Sequence, residues 1–385
     1  MAFSIFAPYR VCPLGAHIDH QKGIVQGFAI DRGVHLEYTP SSDGLVGLES
    51  ANFPGMIQFS LGSIPDTKVG DWADHLRGAA IQLAHHHPVY VGLKGRIVGD
   101  TPLGGGLSSS AAVIIAFLKA LAAVNGITLQ PRELISLAQA AENQYVGVRC
   151  GKLDQSCIVL SRANHLLVLD CQTDTYELLP WNTGNQEIRF GVFFSGLERS
   201  LATSDYNRRQ DECREAACRL IALAVAAGLP VHRGFEEEGT VVLRDVPVEI
   251  YEAYREALPE KLKRRADHFF GEMRRVEKGV EAWKAGDLNT YGQLVFDSGM
   301  SSIVNYECGC DELITLFHIL QNTPGVLGAR FSGAGFKGCC MALIEPAQGE
   351  RVLATVQQQY LKTYPQLDGK YEAYICSTVD GVAAS

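Results

Sequence analysis

Apolar and polar residues alternate with a period of two in the opening part of the chain. The pattern is clear in Val34-His-Leu-Glu-Tyr38 and in Leu45-Val-Gly-Leu-Glu49, with glycine and serine between them at 41–44. A period of two is typical of strands with one buried face, because successive side chains point to opposite sides. We therefore expect residues 1–60 to form a β-rich layer of short strands.

Farther along the chain, apolar residues recur every three to four positions, which is the period of an amphipathic helix. Pro131 begins one such run, at a helix position where its missing N–H costs nothing. The pattern predicts helices over 71–86, 109–124, 131–141, 205–227, 248–258, 261–285, 288–298, 310–321 and 349–364, and strands over 90–98, 165–170, 188–194, 329–332, 340–344 and 371–377.

Strands and helices follow one another without a strict alternation, which favours an α+β fold over a doubly wound sheet. The polar, turn-like segment from Trp181 to Gln186 is a candidate hinge. We expect two domains, 1–186 and 187–385, because 385 residues with 46% hydrophobic content are enough for two packed cores.

Charge and composition narrow the class of protein. The net charge of −9 and a pI near 5.7 argue against a nucleic-acid or anionic-membrane partner, since either requires a concentrated basic face. No run approaches the roughly 20 apolar residues of a membrane span, and no charged leader precedes Pro8. The eleven cysteines lack the spacing of a disulfide framework or a zinc site, so we expect reduced thiols and a soluble, cytoplasmic protein.

One glycine motif suggests a nucleotide site that its surroundings do not support. Gly333-Ala-Gly335-Phe-Lys-Gly338 matches the GxGxxG pattern of dinucleotide-binding folds, but that pattern must open a helix. Here the apolar run Cys339-Cys-Met-Ala-Leu-Ile344 predicts a strand instead. We expect a tight strand-turn-strand unit in which glycines allow close backbone approach.

A second glycine loop has the features of an anion cradle. It runs Pro102-Leu-Gly-Gly-Gly106-Leu-Ser-Ser-Ser110 into the apolar helix at 113–121. Glycines let successive N–H groups point inward, the helix N-terminus adds partial positive charge, and the serines supply hydroxyls for a phosphate or Mg²⁺. A single N-capping serine is the simpler alternative. No GxxxxGK[ST] sequence occurs, so a nucleotide held here would be bound outside the Walker scheme.

Phosphoryl transfer also needs a metal ligand and a group that positions the attacking oxygen. Glu142 and Asp154 follow the loop at suitable places, although either alone is also typical of a solvated or helix-capping carboxylate. Together with the loop they indicate Mg²⁺ on Ser109 and Glu142, with Asp154 left for the acceptor hydroxyl.

These segments resemble the galactokinase branch of the GHMP kinases along nearly the whole chain. Ala7 to His20 resembles the APGRVNLIGEHTDY signature, and 102–112 resembles the PLGGGLSSSAA phosphate loop. The AEH and CGIMDQ pieces correspond to 141–142 and 150–155. The RHSLASSEY and GARMTGGGFGGC segments correspond to 199–206 and 328–339.

The resemblance implies an N-terminal α/β domain carrying the phosphate loop and a C-terminal ferredoxin-like domain with extra helices, with the active site in the cleft between them. It implies ATP as co-substrate and Mg²⁺ as cofactor, held by Ser109 and Glu142. Asp154 would be the base for the anomeric C1 hydroxyl, kept ionised by Arg10. The resemblance implies nucleotide contacts from Gly104, Gly105, Gly106, Leu107, Ser108, Ser109 and Ser110, and sugar contacts from Ala16, His17, Asp19, Gly151 and Tyr206.

The first motif departs from the family at one position that bears on the choice of sugar. Galactokinases have a glutamate there, directed at the sugar's C6 hydroxyl, and this chain has Ala16. A hydroxyl needs an acceptor, whereas a carboxylate at C6 would be repelled by one. Two like charges about 4 Å apart cost roughly 1 kcal/mol in water and roughly 4 kcal/mol at an effective dielectric near 20. The missing acid therefore favours a sugar with a carboxylate at C6, with His17, His20 or Lys22 adding positive potential. Together with the resemblance to the galactokinase branch, it implies D-galacturonate as the substrate.

Two alternatives remain at this point. A neutral-sugar kinase acting on galactose or arabinose is one, because a pentose without C6 would also need no glutamate. A non-catalytic sugar-binding regulator is the other, and the intact Ser108 to Ser110 and Asp154 argue against it. We expect ATP and a sugar as partners, no nucleic acid or membrane, and a monomer or weak dimer.

Overall fold

The alternating residues at the start of the chain form one sheet. Its strands are β1 (Phe3–Val11), β2 (Ile24–Ser41), β3 (Leu45–Ser50), β4 (Met56–Ser60), β5 (Gly92–Gly99), β6 (His165–Asp170) and β7 (Thr175–Pro180), in the order β4-β3-β5-β2-β6-β7 with β1 also paired to β2. The expectation of short strands is wrong for β2, which is 18 residues long. β2 stays extended because it pairs antiparallel with β1 and with β5.

The structure is a computed structural model that describes residues 2–102, 104–181, 188–197, 203–229 and 241–382, with the side chains of 203–205 not described. Most of the predicted hinge, and the predicted boundary after Gln186, lie outside the described residues. The described chain forms two compact units, each assembled from separate stretches. The first comprises Met1–Val11, Gly27–Leu167 and Cys376–Ser385, and the second comprises Cys12–Gln26 and Val168–Ile375.

The core of the first unit surrounds the helix that follows the phosphate-loop motif. This helix, α2, is apolar on all sides, and Ile114, Phe117 and Leu118 are fully buried. It packs against β1, β5 and three further helices. The helices of the unit are α1 (Asp74–His86), α2 (Ser109–Val124), α3 (Pro131–Ala140) and α4 (Leu153–Leu160). Pro131 is confirmed at the first turn of α3.

The second unit contains the helix-rich half of the chain. Besides β7, its elements are β8 (Arg189–Phe194), α5 (Thr203–Ala226), α6 (Val248–Tyr254), α7 (Glu260–Ala285), α8 (Leu288–Val304), α9 (Asp311–Gln321), β9 (Val326–Phe331), β10 (Cys339–Ile344), α10 (Gly349–Thr363) and β11 (Glu372–Ser377). The strand order β11-β8-β10-β9, with helices between β8 and β9 and between β10 and β11, is the ferredoxin-like arrangement. The predicted α+β class and ferredoxin-like domain are confirmed.

The GxGxxG segment joins β9 to β10, which pair antiparallel. Gly333, Gly335 and Gly338 have left-handed φ angles of +71°, +77° and +106°. A side chain at Gly335 would also meet the Cys308 sulfur at 2.8 Å. The predicted strand-turn-strand unit is therefore confirmed, and its glycines serve a tight turn.

Candidate active site

The loop that leads into α2 turns left-handed at every second residue. The φ angles are +67° at Gly104, +83° at Gly106 and +65° at Ser108. Alternate left-handed residues turn neighbouring N–H groups to one side, and the N-terminus of α2 adds partial positive charge there. Gly105 and the buried Leu107 complete the described part of the loop. The backbone therefore has the geometry that an anion cradle requires.

Ser108 is strained and leaves a buried group unsatisfied. A left-handed φ is uncommon for serine. Its hydroxyl is buried and has no hydrogen-bond partner among the residues that the structure describes. A buried hydroxyl without a partner costs about 1–3 kcal/mol. A phosphate oxygen is the kind of group that would satisfy it.

Glu142 lies on a π-helical turn, Ala141–Val146, that follows α3. Such turns are rare and occur frequently at functional sites. The Glu142 carboxylate accepts hydrogen bonds from Ser110 Oγ at 2.7 Å and from Gln155 Nε2 at 2.5 Å. The Cys150 thiol donates a longer one, at 3.4 Å. Three donors thus converge on one buried carboxylate.

Burial dominates the protonation behaviour of this carboxylate. Glu142 is 5% exposed, and burial raises its pKa above the ordinary range despite the hydrogen bond from Ser110. The negative charge of Asp154 raises the pKa further. A bound cation would act in the opposite direction and stabilise the ionised form.

The residues around Glu142 fit Mg²⁺. This ion prefers oxygen ligands and commonly takes one or two carboxylates together with substrate phosphates. The side-chain oxygen Oε1 of Gln155 is buried and has no hydrogen-bond partner in the described ranges. The same is true of the Ser108 hydroxyl at the end of the glycine loop. The hydroxyl that reaches Glu142 belongs to Ser110, while the predicted ligand Ser109 precedes it as the first residue of α2.

Arg10 and Asp154 form an ion pair in the first unit. Arg10 Nε donates to Asp154 Oδ1 at 2.8 Å, and Nη1 donates to the Gly106 carbonyl at 2.9 Å. The Arg10 side chain is 4% exposed, whereas that of Asp154 is 29% exposed at the start of α4. Arg10 therefore ties the predicted base to the loop and leaves part of its carboxylate open to solvent. The predicted residue Gly151 lies buried just before α4.

The turn that holds Ala16 is anchored by α7 in the second unit. Gly15 has a left-handed φ of +84°, and its N–H donates to Glu272 Oε2 at 2.9 Å. A side chain at Gly15 would meet the Val25 backbone at 2.6 Å. The Ala16 carbonyl accepts a hydrogen bond from His268 Nε2 at 2.9 Å. Two buried side chains of one helix thus fix the backbone on both sides of the position where galactokinases have glutamate.

The surroundings of His268 and Glu272 favour a neutral histidine and an ionised glutamate, for different physical reasons. Burial lowers the pKa of His268 to about 4, so the ring is neutral and donates through Nε2. Its Nδ1 lies 3.0 Å from Ser301 Oγ, which donates to it. Burial alone would raise the pKa of Glu272, but the charges of Arg275 and Arg330 and the hydrogen bond from the Gly15 N–H lower it below its usual range.

His17 lies against an aromatic ring far away in sequence. Its imidazole is stacked on Tyr306 with centroids 4.4 Å apart and planes 9° apart. His17 is 6% exposed, has a left-handed φ of +59°, and places Nε2 3.7 Å from the Cys308 sulfur. The geometry holds the ring in one orientation.

The remaining predicted sugar residues of the second unit lie around the same tyrosine. Asp19 begins a short 3₁₀ turn, and its charge helps to raise the pKa of Tyr306, after the larger effect of burial. His20 Nε2 is 3.1 Å from the Tyr306 hydroxyl. Tyr206 faces the His20 ring edge-on with centroids 6.1 Å apart. Tyr306 therefore neighbours His17, Asp19, His20 and Tyr206 together.

Sequence reasoning missed several members of these clusters. Ser110 is predicted as a nucleotide contact but not as a partner of Glu142. Gln155 is not predicted, although its place in the 150–155 motif is a signal that could have identified it. His268, Glu272 and Tyr306 are more than 240 residues from the turn they contact, and their helical pattern resembled that of an ordinary buried face.

Comparisons with known proteins identify the family of this chain. The families described as GHMP kinases N terminal domain and GHMP kinases C terminal match residues 74–162 and 280–362. A galacturonokinase of Arabidopsis thaliana is 40% identical over 98% of this chain and 92% of its own length. A galactokinase of Roseiflexus sp. (strain RS-1) is 34% identical over 98% of this chain and 91% of its own.

A solved structure of Lactococcus lactis galactokinase complexed with galactose superposes with a TM-score of 0.88 at 29% identity, covering 99% of this chain and 94% of that one. The chain belongs to the galactokinase branch of the GHMP kinases. It is an ATP-dependent sugar kinase. Across the described ranges, none of the helices combines the length and apolar character needed to cross a membrane.

Proposed function

We propose that this kinase transfers the γ-phosphoryl group of ATP to the anomeric C1 hydroxyl of D-galacturonate, giving galacturonate 1-phosphate and ADP. The observation that carries the proposal is Ala16. The methyl group stands where the family has an acid directed at C6, in a turn whose backbone is bound by His268 and Glu272. The similarity to a protein named galacturonokinase supports the same substrate.

The charge around Ala16 favours this choice over galactose. A glutamate at this position would add a carboxylate one residue from Gly15, whose N–H already binds the Glu272 carboxylate. Without that acid, the sugar's C6 carboxylate meets no like charge from position 16. Roughly 1–4 kcal/mol of repulsion is avoided, depending on how far the site is shielded from water.

We assign the chemical steps to residues of this chain. Asp154 receives the proton of the C1 hydroxyl, or orients it, and Arg10 holds the carboxylate by its Nε–H. The left-handed loop from Gly104 to Ser108 donates backbone N–H groups to the nucleotide phosphates. Glu142 and a serine hydroxyl at 109 or 110 would hold Mg²⁺, which would supply positive charge to neutralise the phosphates.

Sugar binding falls to the residues around the turn. His17, Asp19 and Tyr206 contact sugar hydroxyls, with Gly151 and the Ala16 position completing the substrate contacts. The Gln21 amide donates to His20 Nδ1 at 2.9 Å, so that nitrogen is an acceptor in this arrangement, which argues against His20 as the source of positive potential for the C6 carboxylate. We further propose that the enzyme works as a monomer or weak dimer in the cytoplasm, where its eleven cysteines would stay reduced.

The test is a coupled ADP-release assay with galacturonate, glucuronate, galactose and arabinose, each at several concentrations. We expect the highest kcat/KM with galacturonate and a requirement for Mg²⁺. Phosphorus NMR of the product should show an anomeric phosphate ester. Phosphate on another hydroxyl would contradict the role of Asp154, and a preference for galactose or arabinose would contradict the substrate.

A further inference from the structure

Tyr306 contacts two histidines of the sugar-binding turn at once. Its ring face covers His17 at a centroid distance of 4.4 Å, and its hydroxyl lies 3.1 Å from His20 Nε2. Tyr306 itself is fully buried. It therefore cannot bind a sugar directly in this arrangement, but it contacts both His17, a predicted sugar residue, and His20 in the same turn.

The directions of the hydrogen bonds between His20 and Gln21 and between His20 and Tyr306 follow from the partners. The Leu243 N–H can only donate, and it donates to Gln21 Oε1 at 3.1 Å. The other end of that amide, Nε2, must then donate to His20 Nδ1. With Nδ1 accepting, the proton of the neutral ring is on Nε2 and is donated to the Tyr306 oxygen. Removing that oxygen would leave a donor of His20 without this acceptor.

The backbone of Tyr306 is itself clamped by two arginines. Arg209 donates to the carbonyls of Tyr306 and Glu307 at 2.9 and 2.8 Å. Arg265 donates to the Asn305 carbonyl at 2.5 Å. All three carbonyls of the segment 305–307 are thus bound by guanidinium groups.

The arginines are held by two carboxylates. Arg265 is fully buried and pairs with Glu212 at 2.7 Å and with Glu307 at 2.5 Å. Arg209 pairs with Glu212 at 3.2 Å. Breaking such a buried network leaves a charge uncompensated, so the segment has little freedom to move.

We propose that Tyr306 is a positioning residue that sets the affinity for the sugar by fixing the rings of His17 and His20, and that Arg209 and Arg265 hold Tyr306 in place. The proposal rests on the proposed function, since it takes the turn at 16–20 as the sugar-binding segment. It adds a residue outside the family motifs to the determinants of sugar affinity.

The first test is Tyr306→Phe, which keeps the stacked ring and removes the acceptor for His20 Nε2. The KM for galacturonate should rise about three- to ten-fold, the effect of one neutral hydrogen bond, while kcat and the KM for ATP change less than about two-fold. Tyr291→Phe is the matched control. Tyr291 is also fully buried in α8, and its hydroxyl donates to Gln26 Oε1 at 2.8 Å. The control should lose similar thermal stability without a change in either KM.

A double-mutant cycle separates positioning from general destabilisation. In a His20→Ala background, Tyr306→Phe should raise the KM for galacturonate no further, because its effect passes through His20. Arg209→Lys keeps a positive charge beside Glu212 but loses the forked contact with two carbonyls. It should raise the same KM without altering that for ATP.

The outcomes distinguish this inference from the proposed function. If the wild type phosphorylates galacturonate and Tyr306→Phe changes its KM no more than Tyr291→Phe does, the positioning role is wrong and the function stands. Full additivity in the cycle also overturns it. If the wild type prefers another sugar, the proposed substrate is wrong, and the same KM comparison with that sugar decides the inference. Turnover of no sugar at all overturns both.

Discussion

Arg10 Nε donates to Asp154 Oδ1 at 2.8 Å, and the same guanidinium donates to the Gly106 carbonyl of the glycine loop. One cation thus joins the proposed base to the backbone that is proposed to bind phosphate. Because the guanidinium is almost fully buried, the carboxylate is held in one orientation. Such alignment is what a group needs if it is to receive a proton from a bound hydroxyl.

Replacing Asp154 by asparagine should lower kcat about 10²- to 10⁴-fold, because the amide cannot accept the proton and only positioning remains. The KM for the sugar should change little. Asp170→Asn is the control, since Asp170 forms a comparable pair with Arg244 at 3.0 Å and has 21% side-chain exposure. Single-turnover and steady-state kinetics of the two variants measure kcat and the KM for the sugar. Near wild-type turnover by Asp154→Asn would remove it from the role of base.

Ala16→Glu should reduce kcat/KM for galacturonate far more than for galactose, because the new carboxylate meets the substrate's own. The loss should correspond to roughly 1–4 kcal/mol, which is about five-fold to nearly a thousand-fold. Added salt should relieve little of it, since a closed site is screened less than a surface. Kinetics with both sugars provide the measurement.

The matched control is Ala16→Gln, which adds nearly the same volume without charge. It should cost less with galacturonate than Ala16→Glu does. Equal losses for the two variants, or equal losses on the two sugars, would show that position 16 senses only volume. A melting curve of each variant shows whether crowding near His268 has disturbed the turn.

The proposed metal site predicts that two adjacent serines differ in their effect on the Mg²⁺ requirement. Glu142→Gln should raise the Mg²⁺ concentration needed for half-maximal activity, because it removes the only charged ligand proposed for the ion. Ser110→Ala should have a larger effect on this requirement than Ser109→Ala, since the Ser110 hydroxyl already contacts Glu142 at 2.7 Å. Magnesium titrations at saturating sugar make the comparison. A larger effect of Ser109→Ala would identify that serine as the ligand.

His268 should make the protein less stable in mild acid. Its pKa is about 4 in the folded chain and 6.5 as an ordinary histidine, so between these values the unfolded chain binds a proton that the folded one does not. The contribution of His268 leaves the free energy of unfolding unchanged above pH 6.5. As the pH drops towards 4, it lowers that free energy by up to roughly 3 kcal/mol.

His268→Gln retains a donor for the Ala16 carbonyl and cannot be protonated in this range. Urea unfolding at pH 7, 5.5 and 4.5 should show a shallower loss of stability for this variant than for wild type. His86→Gln, at an exposed position of α1, should keep the wild-type slope. If the free energy of unfolding of His268→Gln falls with pH as steeply as that of the wild type, burial of His268 does not cause the loss of stability in acid.

Hydrophobic periodicity located most elements because it depends on local burial. Periodicity did not predict the ends of elements that are fixed by tertiary contacts. α8 runs to Val304 rather than ending at 298, since the hydroxyls of Ser298 and Ser302 accept hydrogen bonds from the buried Arg330. These serines, which suggest a helix end in the sequence, therefore lie inside the helix and bind the Arg330 guanidinium. α4 and β7 were not predicted, because each is a short element without a distinct period.

The sequence by itself determined the chemistry available to this protein. The glycine-serine loop, Glu142, Asp154 and the missing acid at position 16 are properties of residue order, because motif spacing fixes which groups a short segment can present. Only the tertiary structure decided which groups meet. Ser110 reaches Glu142, Arg10 reaches Asp154, and Tyr306 covers His17 across 289 residues of chain, since hydrogen bonds and ring stacking require atomic proximity that separation along the sequence does not encode.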